Sequence, residues 1–309
     1  MTQRNENIDF LKSVFILLMI LFHLVYIGDK YPYLKSVVYT FHMSGFLLLS
    51  GLLMNTAKSP FQFFKTLLWL FVPYAVMETG YVLMAAVLPI REHIETLTPL
   101  VFLEKLLVHP LGPYWYLHTL ILCSLAAYGC LRLPLRHTAN RFFLLGLVFF
   151  LFSEVGLLSW DNALYFGLGV VLRQSRLSFS AVFRPSFLSL LPLALLCSHP
   201  DNLHRGTLPG LFITYLSFSL LLALYPHLPL RVRTWSNFVG RNTLPLLLFS
   251  PIFTLLCKPL VAVFSFDRTG VLFAVVALFI SVSGSFIITR AMKLSGVARF
   301  FFGDRKVLV

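Results

Sequence analysis

The feature that most constrains this chain is the recurrence of apolar runs, most of them near 20 residues, from one end to the other. About 20 consecutive apolar residues let an α-helix cross the ~30 Å hydrocarbon core of a bilayer. Ten runs can be drawn: Ile8–Ile27, Leu34–Met54, Phe61–Pro89, Pro113–Leu133, Phe142–Leu158, Asn162–Leu172, Phe183–Ser198, Leu208–Tyr225, Thr243–Phe264 and Gly270–Met292. The chain is 58% hydrophobic, against roughly 45–50% for a soluble domain. The expectation is an all-α, polytopic integral membrane protein with about ten transmembrane helices. No polar stretch between runs is long enough for a second domain, so residues 1–309 are read as one membrane-embedded domain. The third run is long enough to be tilted or broken near Pro73. The sixth is short and holds Gly167 and Gly169; dropping it would reverse the sidedness of everything after it.

Charge supplies the orientation. With ten spans, 17 of the 25 Lys and Arg fall in loops on the side of the N-terminus and 7 in the opposite loops, with Lys12 inside the first run. Excess Lys and Arg marks cytoplasmic loops, so both termini are placed in the cytoplasm of a multi-pass cell membrane (inner or plasma) protein. The net charge of +13 is explained by the same rule. The basic residues are spread over many short loops and form no folded basic face, so no nucleic-acid partner is expected; membrane lipid is. The first run is full length, follows a polar start and lacks a small-residue cleavage site, so it is expected to stay as the first span. Cys123, Cys130, Cys197 and Cys257 are scattered with no CxxC pair and read as packing residues. No Rossmann or P-loop glycine motif occurs.

Several runs carry polar residues that a lipid-facing helix avoids. The first holds Asp9, Lys12 and His23, and the second holds His42. Charge at bilayer depth costs ~2.5–3.5 kcal/mol on insertion scales, so such residues mark functional sites by default. Lys12 and His23 are eleven residues apart, three turns plus about 20°, so they share a face about 16 Å apart along the axis. Asp9 lies one turn from Lys12, within pairing reach. The stripe therefore carries a cation near the inner surface and an imidazole toward the outer one. Lys12 also reads as a snorkelling residue, and His23 as a packing histidine. Ser50 and Gly51, deeper in the second run, read as sites of close helix approach.

The fourth run opens with GPYWYLHTL, in which Trp115 and His118 share a face. Trp115 also suits an interfacial belt. His23, His42 and His118 all fall toward the outer half, which points to a shared polar cavity between runs one, two and four. An imidazole near its ordinary pKa suits general-base work. No metal is expected, because no HxxxH or carboxylate-rich pattern accompanies the histidines. Glu78 lies mid-run with Tyr74 and Tyr81 on its face; pairing with a buried cation and membership of the cavity both remain open. RVRTWSNFVGRN reads as a basic cytoplasmic loop ending in Arg241 and Asn242 at a helix start. That arrangement suits a phosphate-bearing ligand, and equally a plain positive-inside loop.

These segments together resemble the membrane-bound acyltransferase family 3, whose small members include fucose 4-O-acetylase-like and surface polysaccharide O-acetyltransferase-like proteins. The resemblance rests on Asp9-x-x-Lys12, ten residues, then His23; on the FHMSGFLLLSG run, Phe41–Gly51; on Gly112, Trp115, Tyr116 and Leu117; and on Gly240, Arg241, Asn242, Thr243 and Leu244. The motifs occur in family order over nearly the whole chain. Two positions depart: Ser44 stands where the family has proline after FHM, and Ser250 where its C-terminal motif ends in histidine.

The resemblance implies a multi-span O-acyltransferase that moves an acyl group, usually acetyl from acetyl-CoA as co-substrate, to a hydroxyl of a surface carbohydrate or related acceptor. His23 carries over as the catalytic histidine, Lys12 as its basic partner and His42 as the histidine of the second motif. Asp9, Trp115, His118, Glu78, Arg241 and Asn242 are the candidates for donor and substrate binding. Acceptor specificity is expected from outer-loop residues such as Tyr31, Tyr33, His109 and Trp160. The rival reading is a transporter or flippase for a lipid-linked or small anionic solute, with the buried charges as a proton relay. Such proteins often show inverted repeats and paired broken helices, and the sequence shows neither clearly.

Overall fold

The computed structural model describes residues 5–88, 92–175, 177–303 and 307–308. Arg4, Arg91, Arg176, Arg305 and Lys306, counted in the charge asymmetry, lie outside the described residues. Among the described residues all regular structure is helical.

The first run forms two helices. α1, Glu6–His23, starts at Asn5, whose side chain accepts the Asn7 amide at 3.0 Å. It stops at Leu24, which is extended with ψ 102°, and α2, Val25–Lys30, begins immediately. A helix end leaves carbonyls without partners. Here His23 Nδ1 donates to Met19 O at 2.7 Å, the Leu24 amide to Leu21 O at 3.3 Å and the Tyr39 hydroxyl to Phe22 O at 3.4 Å. The break is thus satisfied by two side chains and one main-chain amide. α3, Pro32–Leu53, carries the second run.

The next stretch holds α4, Pro60–Val87; α5, Pro99–Leu107; α6, Trp115–Arg132; α7, Thr138–Glu154; and α8, Trp160–Gln174. α4 is capped by Ser59 with Pro60 in its first turn, and it runs through Pro73 without breaking. Its 28 residues rise about 42 Å, enough to cross a bilayer with tilt. A single 3₁₀ turn, Gly112–Tyr114, leads into α6.

The chain continues through α9, Phe179–Val182; α10, Leu190–Cys197; α11, Leu208–Leu224; α12, Leu230–Arg241; α13, Thr243–Leu256; α14, Leu260–Val263; α15, Val271–Leu294; and α16, Ala298–Phe302. Among the described residues each of the ten apolar runs contains helix, though Phe183–Ser198 is α-helical only over Leu190–Cys197 and Thr243–Phe264 is interrupted after Leu256. Five helices are long and apolar enough to cross a membrane by themselves: Pro32–Leu53, Pro60–Val87, Gly112–Arg132, Leu208–His227 and Val271–Leu294. α12 and α13, bent by 86°, make a sixth if they count as one span. α1 carries Glu6, Asp9 and Lys12, and α8 has 15 residues, a rise of about 22 Å.

The segment read as a basic loop is instead α12. Hydropathy misses it because much of what it buries is not apolar: Ser236, Asn237 and Gly240 are buried beside Val239, while Leu230, Val232 and Trp235 are exposed.

By Cα packing the chain divides into two compact units. The first takes the described parts of 1–46, 176–295 and 306–309; the second takes those of 47–175 and 296–305. In the first unit α15 shows how such a protein packs. Its buried residues Phe273, Ala277, Ser281, Ser285 and Thr289 recur every four residues, while Val275, Phe279 and Ile287 are exposed. Small and hydroxylated side chains face protein and large apolar ones face outward, as lipid surroundings favour. Ser285 and Thr289 donate to the carbonyls one turn back at 2.6 and 2.7 Å, so their hydroxyls are satisfied within the helix. A Cβ at Gly284 would fall 2.3 Å from the Phe253 ring of α13, so glycine sets that contact. In the second unit α3 meets α8 backbone to backbone. A Cβ at Gly51 would lie 2.1 Å from Phe166 O, and one at Gly169 would lie 2.0 Å from Leu48 O.

Candidate functional site

In the first unit two clusters lie at opposite ends of α1. At the N-terminal end Asp9 is buried and its carboxylate joins two cations. Lys12 Nζ is 4.0 Å from Oδ1, and Arg241 Nε is 3.5 Å from Oδ2. α12 reaches this position because Gly240 allows it: a Cβ there would fall 1.8 Å from Asp9 O. Beside the ion pairs the Tyr225 hydroxyl donates to Glu6 Oε2 at 2.8 Å and accepts from Asn237 Nδ2 at 2.9 Å. Asn242 stands at the bend between α12 and α13. Its Nδ2 donates to Phe238 O at 2.9 Å, and its Oδ1 accepts the Leu308 amide at 2.7 Å. In the fold it braces the bend. Ser250, one turn and more into α13, is buried.

At the C-terminal end of α1 two imidazoles share one tyrosine. The Tyr39 ring lies 6.3 Å from that of His23 and 5.0 Å from that of His42. Each imidazole binds a carbonyl of its own helix through Nδ1, His23 to Met19 O and His42 to Val38 O, both at 2.7 Å. A carbonyl only accepts, so Nδ1 carries the hydrogen in both rings, and each neutral imidazole presents Nε2 as a bare base. His42 is 1% exposed, and its Nε2 has no hydrogen-bond partner among the described residues. A buried polar atom left unpaired costs stability, so in native structures such an atom calls for an explanation.

Trp115, His118 and Glu78 belong to the second unit. His118 Nε2 donates to Leu107 O at 2.8 Å, and its ring lies 6.0 Å from that of Tyr74, whose hydroxyl donates to Leu106 O at 2.6 Å. Glu78 is fully buried, and its Oε1 accepts the Leu111 amide at 2.6 Å. Glu92 accepts the next amide, Gly112, at 2.8 Å. Glu78, then, holds main chain rather than a cation in the contacts observed. These side chains clamp residues 106–112 just before α6. Trp115 packs edge-on against Tyr116, and the Tyr116 hydroxyl meets Ser50 Oγ at 2.7 Å. The FHMSGFLLLSG run and the Trp115–Leu117 segment are thereby joined by one hydrogen bond. Of the residues expected in outer loops, Tyr33 lies in the first turn of α3 and Trp160 opens α8; Tyr31 donates to Thr269 O at 2.7 Å, Tyr33 donates to Cys197 O, and His109 meets Glu104 at 3.2 Å.

The structure therefore brings together Asp9, Lys12 and Arg241 as one group, and His23 and His42 as another. Sequence reasoning passed over Tyr39, although it lies three residues before His42 and so on its face. It also passed over Gly240 as the contact that admits α12. Among the described residues no three His, Cys, Asp or Glu side chains gather as metal ligands.

The first unit thus offers an imidazole base at one end of α1 and a pair of cations at the other. The model of the family described as "Acyltransferase domain", acyltransferase family 3, matches residues 5–290. The chain belongs to that family and is a membrane acyltransferase. No curated protein and no solved structure matches it.

Proposed function

We propose that the protein is an O-acyltransferase that moves acetyl from acetyl-CoA to a hydroxyl of a surface carbohydrate or related acceptor, in the inner or plasma membrane with both termini cytoplasmic. The observation that carries the reading is the tautomer of His23. With Nδ1–H held by Met19 O, Nε2 is free to take the acceptor proton. As that proton leaves, the acceptor oxygen forms a bond to the thioester carbonyl carbon and the carbon–sulfur bond breaks. The proton on His23 then passes to the departing thiolate, which leaves as the thiol of CoA. His42, with a second bare Nε2, receives a hydrogen from a neighbouring acceptor hydroxyl. Lys12 and Arg241 engage the donor's phosphates at the other end of α1. Low-dielectric surroundings strengthen each of these contacts. Donor and acceptor approach from opposite faces, so the reaction needs a passage open to both.

The test is His23→Ala in cells. Ester-linked acetyl on surface glycans is expected to disappear while protein abundance holds; acetylation persisting at the wild-type level removes His23 from the reaction. Incubating the purified protein with labelled acetyl-CoA and candidate acceptors separates acyl transfer from transport.

A further inference from the structure

A general base is oriented by whatever holds the rest of its ring, because the nitrogen that takes the proton has to stay bare. His23 and His42 are each held by one hydrogen bond, from Nδ1 to a carbonyl of their own helix at 2.7 Å. Neither ring makes another hydrogen bond among the described residues. One such bond fixes a point on the ring and leaves the ring free to pivot about it. The direction in which Nε2 aims therefore depends on what packs against the imidazole plane.

That neighbour is the same for both imidazoles. The Tyr39 ring of α3 lies 5.0 Å from that of His42, inclined by 40°, and 6.3 Å from that of His23, inclined by 30°. Both separations fall in the range of aromatic ring pairs, about 4.5–7 Å. One side chain thus meets two bases that come from different helices. Tyr39 is itself anchored. It packs on the buried cluster of Phe22, Leu24, Ile27, Val38, Cys257 and Phe273. Lys35 Nζ, one turn earlier on α3, stands 5.5 Å from its ring centroid. Its hydroxyl donates at 3.4 Å to the carbonyl of Phe22, the residue before His23. That bond is long for a hydroxyl donor, so the ring does more of the holding than the hydroxyl. A ring face also attracts a cation, out to about 6 Å from its centroid. His23, with its ring 6.3 Å away, lies beyond that reach when it takes a proton. For His23 the tyrosine ring acts through orientation and not through charge.

We infer that Tyr39 is a positioning residue of the acyl transfer: its ring sets the planes of His23 and His42, and so aims both Nε2 atoms at the acceptor. This rests on the proposed role of His23 as base. Tyr39 touches neither donor nor acceptor in this role, and the proton moves to His23 Nε2 as described above. Its position is two residues ahead of the FHMSGFLLLSG run, outside the family-like motifs. Misplacing a reacting group by about 1 Å costs up to about 10²-fold in rate, so loss of the ring should be felt in turnover rather than in donor binding.

The experiment gives the purified protein labelled acetyl-CoA as donor and cell envelopes from cells lacking the gene as acceptor, and measures alkali-labile label on the envelopes. Tyr39→Leu removes the ring plane and Tyr39→Phe keeps it. Tyr39→Leu is expected to lower turnover at saturating acetyl-CoA by about tenfold or more, with the KM for acetyl-CoA unchanged and the protein folded at the assay temperature. Tyr39→Phe should restore turnover. Tyr39→Met takes the place of Tyr39→Leu should that variant fail to accumulate. Wild-type turnover in Tyr39→Leu overturns the inference. An equal loss in Tyr39→Phe also overturns it, since the hydroxyl and not the ring would then matter. So does a loss matched by the fall in folded protein, the result a purely structural tyrosine would give. His23→Asn is measured beside these variants. Transfer retained in His23→Asn removes the base, and the inference with it; transfer lost in His23→Asn but kept in Tyr39→Leu overturns the inference alone.

Discussion

The main-chain oxygen of Asp9 occupies the space that a side chain at Gly240 would need. A Cβ at Gly240 would sit 1.8 Å from that oxygen and 2.5 Å from the carbonyl carbon. Backbone, unlike a side-chain tip, has no rotamer by which to move away. The contact sets the distance between α1 and α12, and with it the ion pair between Asp9 and Arg241. The glycine of the Gly240–Leu244 motif therefore has a packing reason, and the arginine beside it has a partner 232 residues away.

Gly240→Ala is expected to destabilise the protein by ~1–3 kcal/mol, the range for overpacking a tight contact. Thermal unfolding in detergent checks this. An unchanged midpoint would mean that α12 can move off α1 at no cost, contrary to the backbone contact.

Asp9→Asn keeps the shape of the side chain and removes its charge. The carboxylate is 5% exposed but Arg241 is 37% exposed. Solvent screening on the arginine side limits the stability loss to about 1 kcal/mol. On the proposed reading the larger effect is on the donor, since Lys12 and Arg241 lose the anion that positions them. A raised KM for acetyl-CoA with little change in KM for the acceptor is the expected kinetic signature.

His23→Asn tests the base apart from the packing. The asparagine amide can replace the Nδ1–H donor to Met19 O, but it has no basic nitrogen. Transfer is expected to fall by ~10²–10⁴-fold, the usual scale for general-base loss, while the unfolding midpoint stays close to wild type. Retained transfer would move the base to another residue.

Glu78 separates a structural carboxylate from a chemical one. Glu78→Gln still offers an oxygen to the Leu111 amide and should be tolerated in both stability and turnover. Glu78→Leu strands that amide in a buried place and is expected to cost ~1–3 kcal/mol. If Glu78→Gln abolishes transfer while folding normally, the carboxylate takes part in the chemistry.

Ser50 and Tyr116 are suited to a double-mutant cycle of Ser50→Ala and Tyr116→Phe. One hydrogen bond of 2.7 Å joins them, and a coupling of about 1 kcal/mol is expected. Additive effects would show that the two motifs are neighbours without interacting.

The sequence by itself determined what repeats along the chain. Ten apolar runs became helices because burying or lipid-facing apolar surface needs only a local pattern, and Asp9 with Lys12 was legible because a helix brings residues three apart onto one face. Tyr39 with His42 obeys the same spacing and was there to be read. The tertiary structure decided the rest. Nothing in hydropathy distinguishes the helix Leu230–Arg241 from a basic loop, since only Val239 among its buried residues is apolar and its partner is α1. The pairing of Asp9 with Arg241, the clamp of Glu78 on Leu111 and the hydrogen bond from Tyr225 to Glu6 each join segments with no shared local period. Such contacts depend on where packed helices end, and that is settled by close approach at positions such as Gly240, not by any spacing along the chain.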